Sequence, residues 1–361
     1  MISNYENPLP GVPLVESPFF GEVFAAGLTD DETLRIATDL HERGFAVFDF
    51  PDPDIQQMAE RVKGALHDRY DWEMWRGGGE NLRLQDAWDW NSDVRRIAVN
   101  EQVLSLLSTL YGRQAFPFQT LNFPAGTQQH YHSDSIHFSA MPERFMCGVW
   151  LALEDIGPEQ GPLIYYPGSH KWPIYTNEQI GYSHVENLNT NQSIYHSLWQ
   201  RLIEVNGVKP ERFYPRKGQA LIWAANLLHG GDVHRDRRQT RWSQVTHYYF
   251  EGCAYYTPMA TDAPFGGVRY RKPIDVRTGL QVPNIYNGRQ VPAAQLEATD
   301  PKRVAQAWAT APFADGSVSS LLTDFDPHQY LLANPDVAAS GMPAQTHYLR
   351  HGVAEGRPLR P

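Results

Sequence analysis

Apolar positions in this chain recur first at helical spacing and then, from about residue 115 onward, gather into short runs separated by turn residues. In TDDETLRIATDLHERG, from Thr29, Leu34, Ile36, Ala37 and Leu40 share one helical face, acidic residues fill the first turn and Gly44 marks the stop. A strand, FAVFDF, follows. Further helices are predicted over Asp54 to Asp68 and Asp93 to Leu110. After these come AFPFQTLNF, FMCGVWLALED, LIYYPGSH, QALIWAANLLHGG and RWSQVTHYYF, rich in aromatic and branched residues and bounded by Pro, Gly and acidic turns. Such a run predicts a β sandwich or barrel.

Around this core the pattern is less regular. Residues 1–27 read as an extended arm, and Asn177 to Val208 as a helical or polar insert containing NLNTNQS. The main domain is expected over 28–313, ending in an irregular Pro/Gly-rich stretch with a helix over PKRVAQAWAT. A linker, 314–323, leads to a small helical module, 324–361, where Asp326-Pro327, Asn334-Pro335 and Met342-Pro343 each place proline near a helix start.

Composition narrows the class. A hydrophobic content of 42% with 10 Trp, 18 Tyr and 16 Phe excludes general disorder, and no run of about 18 apolar residues is present to span a bilayer. The N-terminal residues lack a basic start followed by an apolar core, so a cytoplasmic location is expected. A net charge of −10 argues against nucleic acid as a partner. Cys147 and Cys253 read as inert core thiols. Gly77 to Gly79 lack the Lys-Ser/Thr of a phosphate loop and suggest a turn between aromatic walls.

The candidate chemistry centres on QQHYHSDSIHF, Gln128 to Phe138. On a strand, His132 and Asp134 point one way and Ser133 the other, which aims an imidazole and a carboxylate at one point. A second imidazole would complete the facial triad that binds Fe(II). His229, closing an apolar run and followed by two glycines, is the best candidate; His234, in a charged loop where solvation is expected, and His170, after a Pro-Gly-Ser turn, are weaker. His130 and His132 as a pair remain a rival, although the glutamate of a cupin-type site is missing. Arg241 and Ser243 share a strand face and would hold a carboxylate, unless Arg241 pairs with a structural Asp or Glu. Tyr131, His137, Trp75 and Trp88 could line an aromatic substrate pocket.

HSD at 132–134, WLALEDIGPEQGPLIYYPGSHK at 150–171, HGG at 229–231 and R-x-S at 241–243 together resemble the phytanoyl-CoA dioxygenase family of Fe(II)- and 2-oxoglutarate-dependent oxygenases. The resemblance implies a double-stranded β-helix (jelly-roll, cupin-like) core with flanking helices, and iron held by His132, Asp134 and His229. It implies 2-oxoglutarate anchored by Arg241 and Ser243, with Asn122 and Gln119 as further contacts, and O2 as the other cosubstrate. Arg237 and Arg238 stay open as anchors, because the distal His to Arg spacing is often shorter in the family. Related halogenases lack the carboxylate, so Asp134 implies hydroxylation of a C–H bond in a small or carrier-linked metabolite. Desaturation or cyclisation, and a non-catalytic scaffold or sensor, are the alternatives. The C-terminal residues resemble a short module of assorted bacterial proteins, which suggests docking or oligomerisation.

Overall fold

Asp30 starts the first helix, Asp31–Arg43, by accepting the Thr33 N–H at 2.9 Å, and Gly44, at φ 85°, ends it. The computed structural model describes residues 7–25, 29–80, 82–182, 192–262, 267–298, 325–340, 342, 344–352 and 355–361. The chain divides into two units, Met1–Val304 and Ala305–Pro361. Residues 7–25 are not simply extended: a 3-10 turn, Leu14–Glu16, and a short helix, Phe20–Val23, bury Leu14, Val15 and Phe24.

The second predicted helix forms as Ile55–Leu66. The third is two helices, Ser92–Ala98 and Glu101–Tyr111, because Asn100 leaves the helical path and caps the second by accepting the Val103 N–H at 3.1 Å.

Eleven strands, in chain order, surround the site: β1 (Phe45–Asp49), β2 (Leu84–Gln85), β3 (Ala115–Phe123), β4 (Ser139–Met141), β5 (Met146–Ala152), β6 (Leu163–Tyr165), β7 (Glu211–Phe213), β8 (Gln219–Ala224), β9 (His229–Gly231), β10 (Ser243–Phe250) and β11 (Ala254–Tyr256). A six-stranded sheet has the order β1-β8-β5-β10-β3-β2 and a three-stranded sheet the order β7-β6-β9, with antiparallel pairing throughout. β4 pairs with β11. This is a jelly-roll core with helices packed on one side. The predicted strand QALIWAANLLHGG is two strands in different sheets, so His229 opens β9 instead of closing β8.

Strand alternation makes two cores. Toward the helices, Ala46, Phe48, Cys147, Val149, Ala220 and Ile222 pack with Ile36, Leu40, Met58 and Val62. Between the sheets, Phe45, Phe123, Trp150, Leu163, Leu221, Trp223 and Val245 form a second cluster. Its upper edge is the floor of the site. Both cysteines are free and buried.

The insert contains helices Asn177–Ile180 and His196–Asn206. The expected helix over 301–310 and the linker 314–323 lie outside the described residues. In the C-terminal unit, helices Pro327–Ala333, Pro335–Ser340 and Ala344–His347 gather around Tyr330, Val337, Ala344 and Tyr348. Asp326 caps the first, with Pro327 in its opening turn as expected. Among the described residues no helix is long and apolar enough to cross a membrane.

Candidate metal centre and adjoining cavity

The segment carrying His132 and Asp134 is not a continuous strand. His132 forms an isolated bridge with His229, exchanging N–H···O bonds of 2.8 and 3.0 Å, and Asp134 begins a 3-10 turn, Asp134–Ile136. Ser133 still points away from Asp134, as alternation predicts: its hydroxyl donates to Asn226 Oδ1 at 3.0 Å and accepts the Ser135 N–H at 3.2 Å. The two glycines after His229 let these backbones meet. A Cβ at Gly230 would stand 2.7 Å from the Gln129 carbonyl oxygen, and one at Gly231 3.0 Å from Thr127 Oγ1. The 166–169 turn holds the other side of His229, since Leu228 donates its N–H to Ser169 Oγ at 2.9 Å and accepts from Tyr166 N–H at 2.9 Å.

His132, Asp134 and His229 offer ligand atoms that all lie within 4.8 Å of one another. Asp134 Oδ1 is 3.5 Å from His132 Nε2, and Oδ2 is 3.7 Å from His229 Nε2. Each histidine places Nδ1 on a backbone carbonyl, His130 O at 3.1 Å and Leu227 O at 3.0 Å. A carbonyl only accepts, so Nδ1 carries the hydrogen and Nε2 presents its lone pair to the common point. Trp223 Nε1 donates to Asp134 Oδ2 at 2.9 Å and fixes the carboxylate plane.

The charge states suit a divalent cation. Burial pushes His229 down to about 4, so its ring is neutral near pH 7. For Asp134, burial works toward protonation, but at the acidic pH where the carboxyl would titrate the neighbouring rings are imidazolium. The attraction of His229 and a hydrogen bond from His132 then outweigh burial and hold it well below its ordinary range. Two imidazoles with Nε2 turned to one point and one carboxylate on one side of a cavity are the donor set of a facial-triad metal site.

The triad opens on a cavity of about 250 Å³, lined also by Gln119, Leu121, Trp150, Arg241 and His247. Arg241 is 2% exposed. Its Nη1 donates to Gly161 O at 3.0 Å, its Nε has no partner, and among the described residues no carboxylate pairs with it. Burial lowers it only to about 10, so it is charged at neutral pH. Ser243, on the same face, has a buried hydroxyl without a partner. A buried cation on the wall of the triad's cavity, with an idle hydroxyl two residues further on, fits a carboxylate ligand.

The rival residues are occupied elsewhere. Arg238 is exposed and pairs with Asp236 at 2.8 Å. Arg237 donates to the carbonyls of Trp75 at 2.6 Å and Gly79 at 2.8 Å, holding the glycine turn. His234 is buried, contrary to the solvation expected: Nδ1 accepts the Gly126 N–H at 3.1 Å and Nε2 faces the Asp236 and Gln239 carbonyls. His170 fits against Gly44, where a Cβ would come within 2.5 Å of its ring. His130 turns outward and stacks on His196 at 3.8 Å.

Other expected site residues divide. Gln119 reaches the cavity, and His137 lines it with Nε2 3.0 Å from Gln192 Oε1. Trp88 lies on the wall of a neighbouring cavity that also includes Gln119. Asn122 faces the helices instead, donating to Gln244 Oε1 at 3.2 Å, because even-numbered residues near this end of β3 point away from the site. Trp75 is buried beneath Arg237 and His234, and Tyr131 donates its hydroxyl to Gln200. Neither lines the cavity.

Two residues went unpredicted. His247 projects into the site with its Nε2 3.8 Å from Asp134 Oδ2 and its Nδ1 2.9 Å from Gln119 Oε1, and burial pushes it down to about 4. It lies at even spacing from Arg241 and Ser243, a signal present in RWSQVTH. Trp223 left no such signal, because an indole in an apolar strand reads as core. Its ring lies over Gly148, where a Cβ would be 2.0 Å from it.

Fold and site thus define a jelly-roll protein with a candidate mononuclear metal site opening on a cavity between its strands. Residues 66–238 match the family model described as Phytanoyl-CoA dioxygenase (PhyH), so the resemblance holds over the segment carrying HSD, PGSH and HGG; Arg241 lies just beyond it. No curated protein matches the chain. Among solved structures, the non-heme alpha-ketoglutarate-dependent carbocyclase SnoK from nogalamycin biosynthesis aligns with TM-score 0.50 and 14% identity, over 68% of this chain and 94% of its own. It supports the fold. EctD from S. alaskensis, in its apoform, gives 0.49 and 16% identity over 73% and 91% of the two chains. The epimerase SnoN, solved with Fe3+, alpha ketoglutarate and nogalamycin RO, gives 0.47 and 18% over 62% and 86%.

Proposed function

We propose that the protein is an Fe(II)- and 2-oxoglutarate-dependent dioxygenase that hydroxylates an unactivated C–H bond of a small molecule. The observation that carries this reading is Arg241, a buried cation that no carboxylate among the described residues pairs with, in the same cavity as the triad. His132, Asp134 and His229 would hold the iron. Arg241 Nε and Ser243 Oγ would take the far carboxylate of 2-oxoglutarate. Bound iron, with O2 and the 2-oxo acid, supplies an oxidant strong enough to remove a hydrogen atom from carbon.

The chain's own part is placement. Trp223 fixes the Asp134 carboxylate, and the Nδ1–carbonyl bonds fix both imidazoles. Trp150, Leu121 and Phe138 keep the cavity apolar between the charged ends. Asp134 supports hydroxylation over halogenation, because the carboxylate fills a ligand position that halide would need.

Anaerobic addition of Fe(II) and 2-oxoglutarate should give a weak visible charge-transfer band that needs both. Absence of the band, together with no succinate in air, would rule the reading out.

A further inference from the structure

Beside the metal cavity lies a larger one, of about 690 Å³, and the two share Gln85 and Gln119. Its wall combines Trp88 and Phe118 with three cationic residues, Arg269, Arg271 and Lys272. The only carboxylate on that wall among the described residues, Asp86, is engaged: it accepts the Thr120 N–H at 3.0 Å and the indole N–H of Trp88 at 3.2 Å. The basic segment is held in place by the backbone, with Thr257 N–H donating to Arg269 O at 2.9 Å and Arg271 N–H to Tyr255 O at 2.8 Å.

Arg271 is placed between the cavities. Its guanidinium lies 4.6 Å from the Phe138 ring centroid and 5.8 Å from that of Phe118. Phe138 is in turn 5.0 Å from the His247 ring, whose Nε2 is 3.8 Å from Asp134. Among the described residues the guanidinium makes only a long hydrogen-bond contact, 3.4 Å, to Thr257 Oγ1, and its Nε is buried with no partner. No carboxylate forms an ion pair with Arg271 or Lys272 among the described residues. A fixed, under-bonded guanidinium flanked by aromatic rings calls for an anionic oxygen group.

We infer that the larger cavity is the substrate's, and that the substrate is a small organic anion whose carboxylate or phosphate is held by Arg271 and Lys272 while its body passes Gln119 toward the metal. This rests on the oxygenase reading, in which Arg241 holds 2-oxoglutarate. A second anion hold, in the neighbouring cavity, is then left for the substrate.

The test is isothermal titration of the full chain, loaded anaerobically with Fe(II) and 2-oxoglutarate, using phenylacetate, phenyl phosphate and the neutral phenylacetamide as probes. At least one anion should bind about tenfold or more tightly than the amide. Arg271→Gln should erase that preference and leave amide binding unchanged. Lys272→Glu, at an exposed position, should weaken anions alone while preserving the fold. The preferred anion tells carboxylate from phosphate. Equal binding of amide and anions, no binding of either anion at millimolar concentration, or a preference that survives both substitutions overturns the inference. So does one-for-one competition by 2-oxoglutarate, which would make Arg271 a cosubstrate contact. If iron and 2-oxoglutarate fail to load, the oxygenase reading falls, and the same titrations on the unloaded chain still report on the anion site.

Discussion

From β9 through β10 the chain carries similar side chains to opposite fates. In the turn, 232–240, His234 has both ring nitrogens bonded, Arg237 donates to carbonyls of the 75–79 segment, and Arg238 pairs with Asp236. At the strands on either side, His229 keeps Nε2 open, Arg241 keeps Nε unbonded and Ser243 keeps an idle hydroxyl. The same residue types thus serve structure where their hydrogen bonds are completed by the chain, and mark a binding site where they are buried and left incomplete.

The sharpest way to break this comparison is to exchange the histidines' fates. His229→Ala should abolish Fe(II) binding in an anaerobic metal titration, whereas His234→Ala should keep it and lose about 1–2 kcal/mol of stability with its buried hydrogen bonds. The reverse result would move the metal to the turn. Next in size, Arg241→Ala should raise the 2-oxoglutarate concentration needed for half-maximal band formation about a hundredfold, the cost of truncating one side of a buried charged contact. Arg238→Ala should leave it unchanged, and equal effects would remove Arg241 from the cosubstrate site.

A further effect is on stability against pH. His170, His229 and His247 are each pushed down to about 4 by burial. An unfolded histidine titrates near 6.5, so between that pH and 4 the unfolded chain binds protons the folded chain refuses, and stability falls as pH falls. Each group contributes at most about 1.4 kcal/mol per pH unit. Thermal melts of metal-free protein from pH 7 to 4.5 should show the decline, with a shallower slope in His170→Asn. A flat profile would count against neutral buried rings.

The elements themselves were largely legible. Helix Asp31–Arg43 follows from its apolar spacing, and β1, β3, β5, β8 and β10 from runs rich in apolar and aromatic residues bounded by turns, because strands buried on both faces read as near-continuous apolar runs. Breaks were harder: Asn100 splits one helix by a cap that looks like an ordinary polar residue, and the 225–228 turn hides in an apolar run. The triad was legible because its residue types are scarce in such strands. Which aromatic residues face the cavity was not, since Trp75, Trp88 and Tyr131 look alike in sequence and only packing sorts them. Phe118 is the extra residue of a bulge opposite His247/Tyr248, which re-aims β3 there and defeats simple alternation.

Gly148 sits across β5 from both Trp223 and His247, and the indole occupies the space its side chain would fill. Every coding change at this position adds at least a methyl group, so genetic drift has no small step available there. The orientation of the Asp134 carboxylate is therefore guarded by a residue that contributes no functional group, and a search for reactive side chains would pass over it.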